Sequence, residues 1–257
     1  MRAGLGPQDE RIVFVVGSPR SGTTFLAGAI ASLPGFVDLG EVAAFKAAIP
    51  ELTGVPATEA ARRIRRILSL ARRLGLVGAL RGVEQTPEAA FVVRAAALAF
   101  PQALFVHAIR DGRDVVCSLL ERGWLSKGRG GSDDAGLPYG PQPRFWVEPE
   151  RAAEFAAASD ARRAAWAWRR YLTAVAATPS ERLHEVRYEQ LSADSESVAR
   201  DLAAFLAASS ETLADALSAA HGRSVGRWTR ELTAEQVADI GAESGTVLER
   251  LGYLRGI

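Results

Sequence analysis

The sequence predicts an α/β protein in which helices cover both faces of a parallel β-sheet, as in P-loop-like folds. Two apolar runs of strand length, residues 12–16 and 103–109, are each followed by a turn and a helical pattern. Further strands are predicted at residues 36–39 and 183–188, again with helical segments between them. Because no internal repeat or linker interrupts this alternation, we expect a single domain that spans residues 1–257.

Helical periodicity predicts eight helices, at residues 23–31, 57–74, 88–100, 115–121, 150–178, 195–208, 211–219 and 233–251. Residues 83–87 are interpreted as a loop that enters the third of these helices, with Pro87 near its first turn. The helix at residues 57–74 is rich in arginine. This pattern indicates a solvated face, and a functional basic patch is the alternative.

The composition indicates a globular protein and limits its partners. Apolar residues make up 48% of the chain and the formal net charge is +1, so nothing calls for nucleic acid or an anionic membrane. Cys117 is the single cysteine, which excludes an intramolecular disulfide. No apolar run approaches the roughly 20 residues of a membrane span, and residues 1–12 lack the apolar core of a signal peptide. We therefore expect a cytoplasmic protein without a membrane span; its oligomeric state, a homodimer included, stays open.

A glycine-bounded loop joins the first strand to the first helix and has the features of a phosphate site. In such a loop, backbone N–H groups and the N-terminus of the following helix converge on one anion, and glycines allow close approach. Arg20 adds a fixed positive charge, and serine and threonine hydroxyls add donors. The loop reads GSPRSGTT, and the residues predicted to form the anion site are Gly17, Ser18, Pro19, Arg20, Ser21, Gly22, Thr23 and Thr24.

The loop differs from the nucleoside-triphosphate P-loop at one position. That pattern, GxxxxGK[ST], has a lysine where this chain has Thr23. The lysine normally reaches the β- and γ-phosphates, so its absence argues against phosphoryl transfer from ATP or GTP. A P-loop small-molecule kinase is kept as the alternative function, and no metal site is predicted.

A second anion site is predicted where the strand at residues 103–109 ends. Arg110 follows this strand, and Ser118 lies eight residues later, about two turns into the next helix. Arg122 lies four residues further along the same helix face. Alone, residues 110–114 could equally form a capped, salt-bridged helix start. Together with the first loop, they imply a ligand with two separated anionic groups.

The GSPRSGTT loop and the spacing of Arg110 and Ser118 resemble the 5′-phosphosulfate and 3′-phosphate motifs of sulfotransferases, particularly the bacterial and tyrosyl-protein members. The later segments RYEQL at 187–191, GRW at 226–228 and LGY at 251–253 also look like segments of this family. The resemblance implies a sulfotransferase fold and the donor 3′-phosphoadenosine-5′-phosphosulfate (PAPS), whose desulfated product is PAP. It also implies further nucleotide contacts from Arg122, Tyr188, Arg227 and Trp228.

The same resemblance suggests which residues carry the chemistry. Glu41 occupies the place of the catalytic glutamate of tyrosyl-protein sulfotransferases and is the predicted general base; an acid at a helix N-terminus is the alternative. Arg20 is predicted to follow the charge that moves to the leaving 5′-phosphate. Family members often carry lysine where this chain has Gln85. Either Gln85 does a weaker version of that task, an arginine elsewhere replaces it, or Glu84 is the working group. His107 is interpreted as a core histidine, with the base as its alternative role.

Residues 123–147 are rich in Gly, Pro and Ser and lack either periodicity, which is typical of a functional or disordered loop. We interpret them as a lid or acceptor-binding loop; an insertion without a role is the alternative. Aromatic side chains in this loop would suit a ring-bearing acceptor or a core contact equally well: Trp124, Tyr139, Phe145 and Trp146.

The predicted activity is transfer of a sulfuryl group to a hydroxyl of a small metabolite, glycolipid or glycan. Peptide tyrosine is less favoured, because the sequence shows no basic acceptor groove. A nucleotide-binding homologue without activity is a third option, and Gln85 is the only feature in its favour.

Overall fold

A computed structural model describes residues 12–75, 80–133 and 136–254, so the predictions for residues 1–11 lie outside the described residues. The sheet is parallel throughout and has the strand order β2-β3-β1-β4-β5. Its strands are β1 Ile12–Gly17, β2 Phe36–Gly40, β3 Arg81–Glu84, β4 Leu104–Ile109 and β5 Leu183–Arg187. The predicted α/β fold is therefore confirmed.

Twelve α-helices surround the sheet in the described part of the chain. They are α1 Thr23–Ala31, α2 Ala43–Leu52, α3 Ala57–Leu74, α4 Val93–Ala99, α5 Gly112–Arg122, α6 Ala152–Ala157, α7 Asp160–Val175, α8 Tyr188–Ala193, α9 Ser195–Leu206, α10 Ser210–Leu217, α11 Trp228–Glu231 and α12 Ala234–Arg250.

The central strand β1 shows why its sequence is apolar throughout. Ile12, Phe14 and Val16 point into a core cluster with α2, α3, α4 and α7. Val13 and Val15 point to the opposite face, where they pack with α1, α9 and α10. A parallel strand covered on both faces needs apolar residues at every position, whereas a half-exposed strand would alternate. Each side chain of this kind contributes about 1.5–3 kcal/mol when it is fully buried.

Strand β3 is the main difference from the predicted elements. The loop predicted at residues 83–87 is wrong at its start, because Val83 and Glu84 belong to β3. This four-residue strand has little apolar character of its own, but it pairs with β1 on one side and β2 on the other. Tertiary pairing thus overrides a weak local pattern. Gly82 fits because a Cβ there would lie 2.6 Å from Leu39 Cδ1.

Several helical segments also differ from the prediction, and α8 and α11 lie where no helix is predicted. The helix predicted at residues 150–178 is divided into α6 and α7, because the Ser159 side chain accepts a hydrogen bond from the Arg162 N–H and caps α7. The segment Pro87–Val92 is a 3₁₀ helix before α4. Helix α2 entered the prediction only as the alternative role of Glu41, and it contains Pro50 near its end.

The described part of the loop at residues 123–147 packs onto the fold. Trp124 O accepts a hydrogen bond from Gly140 N at 2.9 Å, which joins the two limbs of the loop. Leu125 and Trp146 are buried in the cluster that contains Phe14. None of the described helices is both long and apolar enough to cross a membrane.

Candidate functional site

The candidate site lies at the carboxyl ends of β1 and β4, where two loops leave the sheet side by side. Strand β1 ends at Gly17, where φ is +152° and an added Cβ would lie 2.5 Å from the carbonyl oxygen of Ala108. Gly22 precedes α1 with a φ of +93°, and a Cβ there would lie 3.1 Å from the Tyr188 ring. Only glycine meets both demands without strain. The two glycines therefore bring the loop against β4 and against the start of α8.

The loop between these glycines holds buried donors and a strained arginine. Arg20 has a φ of +72°, which is uncommon for a residue with a side chain and occurs preferentially at functional sites. Ser18 and Ser21 are buried behind it. Among the described residues, the Ser21 hydroxyl has no hydrogen-bond partner. A buried donor of this kind needs a partner, and a bound anion would provide one.

Arg20 joins the two predicted anion motifs. Its Nε donates to Ser118 Oγ at 2.9 Å, and its carbonyl oxygen accepts from Arg110 Nη1 at 3.1 Å. Burial, followed by the nearby charge of Arg122, lowers the pKa of Arg20. The arginines of the two loops are thus gathered in one electropositive region.

Arg110 is held in place from three sides. Besides Arg20, its Nη2 donates to Ser224 O at 2.7 Å, and its guanidinium lies 4.5 Å from the centre of the Tyr188 ring. The Tyr188 hydroxyl in turn lies 3.1 Å from Ser224 Oγ. Arg110 Nε is buried and has no hydrogen-bond partner among the described residues. This nitrogen is a second orphaned donor at the site.

The start of α5 holds the segment at residues 226–228. The Asp114 carboxylate accepts from Gly226 N at 2.7 Å and from Trp228 N at 3.0 Å. Burial raises the pKa of Asp114, and these two hydrogen bonds oppose the rise. The Trp228 ring lies 3.9 Å from the Arg113 guanidinium. Trp228 therefore packs against the first turn of α5.

Two cavities open beside the phosphate loop. Cavity A, of about 340 Å³, is lined by Arg20, Gly22, Thr23, Thr24, Phe25, Arg110, Ser118, Glu121, Tyr188, His221, Ser224 and Arg227. Cavity B, of about 410 Å³, is lined by Pro19, Arg20, Thr23, Thr24, Glu41, Lys46, Pro87, Glu88, Trp124, Asp133, Tyr139 and Arg144. Arg20, Thr23 and Thr24 belong to both linings, so the phosphate loop separates the cavities and faces each of them.

Most residues predicted to bind the nucleotide meet around cavity A. The predicted residues that do not line it are four of the phosphate loop, Gly17, Ser18, Pro19 and Ser21, and two beyond it, Arg122 and Trp228. Arg122 is exposed on α5 and acts on the site through its charge on Arg20. Arg227 lines the cavity while paired with Glu231 at 2.7 Å and with Glu121 at 3.3 Å. The nucleotide contacts themselves stay predictions.

Glu41, the predicted base, lies in the wall of cavity B just before α2. Its Oε2 accepts a hydrogen bond from Lys46 Nζ at 2.7 Å. The Glu41 side chain is 34% exposed, whereas that of Lys46 is 10% exposed. The carboxylate thus combines an opening to the cavity with a buried cationic partner, and its role as base stays a prediction.

Gln85 and Glu84 lie deeper than Glu41. Gln85 is 8% exposed, lines neither cavity, and its Oε1 has no partner among the described residues. Glu84 is fully buried and accepts hydrogen bonds from the N–H and hydroxyl of Thr86. Burial raises the pKa of Glu84 to about 8. The burial of Glu84 and its hydrogen bonds with Thr86 support a structural role, in which Glu84 holds the segment after β3 in place.

His107 lies in the sheet, outside both cavities. It is 4% exposed, and its Nδ1 lies 3.7 Å from Glu185 Oε1. This placement supports its interpretation as a core histidine.

The lining of cavity B includes Glu88, a carboxyl group with one unpartnered oxygen. Glu88 Oε1 accepts from the Tyr171 hydroxyl at 3.0 Å, while Oε2 has no hydrogen-bond partner among the described residues. Burial raises the pKa of Glu88, so the neutral acid is favoured there. Trp124 and Tyr139 are the aromatic residues of the same lining.

The other aromatic residues of the loop at 123–147 lie in the core. Trp146 is 2% exposed, and the Phe145 ring packs edge-on against Phe91 at 5.3 Å. The sequence did not distinguish these two residues from Trp124 and Tyr139. It also missed Lys46, Glu88 and Arg144. Lys46 carries the one usable signal, an isolated lysine in a chain whose other basic residues are nearly all arginine.

The fold and the site geometry define an α/β protein with a glycine-bounded strand–loop–helix, of the type that binds phosphate, at the end of its first strand. Residues 55–211, more than half of the chain, match the profile described as "Sulfotransferase family". The chain therefore belongs to the sulfotransferase family. The matched span contains Arg110, Ser118 and Tyr188 but begins after the phosphate loop and Glu41. A search of curated proteins found no match.

Solved structures show the same fold at low sequence identity. The sulfotransferase domain of the Synechococcus PCC 7002 olefin synthase aligns with a TM-score of 0.55 and 16% identity, over 92% of this chain and 94% of that chain. Mouse sulfotransferase SULT7A1, complexed with PAP, aligns with a TM-score of 0.55 and 16% identity, over 97% and 93%. Sulfotransferase STF1 from Mycobacterium tuberculosis H37Rv aligns with a TM-score of 0.52 and 19% identity, over 95% and 77%.

Proposed function

We propose that this protein transfers a sulfuryl group from PAPS to a hydroxyl group of a small metabolite, glycolipid or glycan. The observation that carries the proposal is the position of the phosphate loop between two cavities, since Arg20, Thr23 and Thr24 face both. A group-transfer enzyme needs this arrangement, because donor and acceptor must meet at one set of charge-stabilising residues.

Cavity A is the proposed donor site. Its volume of about 340 Å³ falls within the usual range for a small-molecule site. Arg110 lines this cavity and Ser21 lies in the phosphate loop, and their unpaired donors, Arg110 Nε and Ser21 Oγ, fit a ligand with two separated anionic groups. Arg110 and Ser118 would hold the 3′-phosphate, and the loop with the N-terminus of α1 would hold the 5′-phosphosulfate.

Glu41 is the proposed general base in cavity B. It would take the proton of the acceptor hydroxyl, while Arg20 and the hydroxyls of Thr23 and Thr24 stabilise the charge that develops around sulfur and the leaving phosphate. The alternative of a P-loop kinase has less support, because Thr23 stands where that loop has lysine and brings no charge.

Cavity B favours an uncharged acceptor. Apart from Arg20 of the phosphate loop and the buried Glu88, the charged side chains in its wall are paired, Glu41 with Lys46 at 2.7 Å and Asp133 with Arg144 at 4.0 Å. A neutral Glu88 would donate a hydrogen bond from its free oxygen, and Trp124 with Tyr139 would contact a ring. We extend this proposal to a single sulfotransferase domain over residues 1–257, with residues 123–147 as the acceptor-binding loop.

The proposal is tested with ³⁵S-labelled PAPS and a panel of uncharged sugars, phenols and aliphatic alcohols. Transfer of label to at least one hydroxyl compound is expected. Glu41→Gln should lower kcat by about 100-fold or more and leave PAP binding unchanged, because a general base acts only in the transfer step. The matched control is Glu51→Gln, an exposed glutamate on α2, which should behave as the wild type. Wild-type rates in Glu41→Gln would exclude Glu41 as the base.

A further inference from the structure

Lys46 is an unusual residue in this chain. The sequence has 31 lysines and arginines, and only two of them, Lys46 and Lys127, are lysines. Lys46 is 9% exposed, although lysine is almost never buried without a partner. Its ammonium group forms the 2.7 Å contact with Glu41, and its side chain lines cavity B. A buried cation is therefore held where the acceptor hydroxyl would react.

Lys46 provides a positive charge in a site where the residue at position 85 is neutral. The resemblance to sulfotransferases implies a lysine at the position of Gln85, whereas the glutamine side chain is neutral and lines neither cavity. The two positions border the same place, because Gln85 N donates to Gly40 O at 3.2 Å, directly before Glu41. Lys46 on α2 therefore lies near the carboxyl end of β2. A lysine at position 85, directly after β3, would approach the same end of β2.

We infer that Lys46 supplies from helix α2 the positive charge that lysine supplies at position 85 in similar sulfotransferases. This inference rests on the proposed function. In the transfer step, the acceptor oxygen bonds to sulfur, the bond between sulfur and the 5′-phosphate oxygen breaks, and the acceptor proton passes to Glu41. Protonation neutralises the Glu41 carboxylate. The Lys46 ammonium group then interacts mainly with the negative charge that builds on the leaving phosphate.

Arg144 is the other cation of cavity B that is absent from the phosphate loop, and it fits this role less well. Its Nε donates to Pro138 O at 2.9 Å, and its Nη1 lies 4.0 Å from Asp133. These contacts tie the guanidinium to the loop at residues 123–147. A compact ammonium group on a flexible stem can shift between two nearby anions more easily than a planar guanidinium that is bound at several points.

The test compares Lys46→Met and Lys46→Gln with Arg94→Met, which removes an exposed cation on α4 outside both cavities as a matched control. The glutamine can still donate a hydrogen bond to Glu41, so it separates the loss of charge from the loss of packing. PAP affinity is measured by calorimetry, and kcat and KM with ³⁵S-PAPS and the best acceptor of the panel. Both Lys46 variants should lose about 100-fold in kcat, with PAP affinity and acceptor KM within about threefold of the wild type.

A rescue experiment distinguishes catalysis from structure. Adding Gln85→Lys to Lys46→Gln should restore kcat by at least about tenfold, because the charge returns from the neighbouring position. Wild-type kcat in both Lys46 variants would overturn the inference. So would a failed rescue in a double variant that still binds PAP, provided that Gln85→Lys alone stays active. If the wild type itself neither binds PAP nor transfers label, the proposed function fails, and the inference fails with it.

Discussion

Arg20 Nε donates to the hydroxyl of Ser118 at 2.9 Å, although 98 residues separate the two in the chain. This hydrogen bond joins the phosphate loop after β1 to helix α5 after β4. It exists because β1 and β4 are parallel neighbours, so both loops leave the same edge of the sheet. Ligands of open α/β sheets bind at this edge, and the bond places one arginine between the two anion motifs.

Replacement of Ser118 by alanine should weaken PAP binding by about tenfold. The hydroxyl orients Arg20 and would itself bind the 3′-phosphate, and a hydrogen bond to a charged group contributes about 1.5 kcal/mol. Calorimetric titration measures the change. Ser210→Ala, which alters an exposed serine on α10, is the control and should bind as the wild type does. An unchanged affinity in Ser118→Ala would remove Ser118 from the donor site.

Replacement of Gly17 by alanine should destabilise the fold by about 2 kcal/mol or more, because the new methyl group would lie 2.5 Å from Ala108 O at a φ of +152°. Gly28→Ala is the matched control: Gly28 lies within α1, and no described atom outside the helix's own backbone and the two chain neighbours lies within 4 Å of a Cβ there. That change should stabilise the protein by about 0.5 kcal/mol. Urea denaturation compares the two variants, and equal stability would contradict the close approach of β1 and β4.

Stability should fall as the pH rises toward 8. Burial raises the pKa of Glu84 from 4.5 to about 8, so the folded protein keeps a proton that the unfolded chain releases near pH 4.5. This contribution is fully present below pH 4.5 and is lost as the pH rises through about 8. Each pH unit crossed between these values reduces the free energy of unfolding by about 1.4 kcal/mol at most.

Glu84→Gln should remove this dependence. The variant should be more stable than the wild type at pH 8 and similar to it near pH 4.5, as measured by urea denaturation at each pH. Glu59→Gln, an exposed glutamate in the first turn of α3, controls for the general loss of a carboxylate. Parallel profiles for wild type and Glu84→Gln would show that another group governs the pH dependence.

Glu88 should affect acceptor binding and leave donor binding unchanged. Glu88→Ala should raise the acceptor KM by about tenfold, because the hydrogen-bonding group in the wall of cavity B is lost. Glu88→Gln can still accept from Tyr171 and donate into the cavity, so its KM should stay within about threefold. PAP affinity should be the same in all three proteins. An unchanged KM in Glu88→Ala would place the acceptor elsewhere.

Much of the fold could be predicted because strong local patterns agree with the tertiary structure. The run from Ile12 to Val16 is apolar on both faces, and glycines bound the loop that follows it. Strand β3 could not be predicted, because its four residues become a strand only through pairing with β1 and β2. The break between α6 and α7 depends on one capping side chain, Ser159, within an otherwise continuous helical pattern.

The residues of the candidate site were likewise predictable only in part. Arg20, Arg110 and Ser118 could be placed together from sequence, because each lies at a fixed offset from a strand end. Lys46 and Glu88 could not, because their meeting in cavity B depends on how α2 and the 3₁₀ helix pack. A single buried lysine leaves no periodic pattern in the sequence from which its position in a cavity could be predicted.

Cavity A and the phosphate loop are proposed to bind a nucleotide with two separated anionic groups. Calorimetric titration with PAP in the absence of magnesium, beside ATP with magnesium, tests this binding. PAP should bind to the wild type, and Arg110→Ala should lose about 100-fold in affinity, because Arg110 would pair with the 3′-phosphate. Binding of magnesium ATP without binding of PAP would exclude the proposed sulfotransferase function and would favour a P-loop kinase.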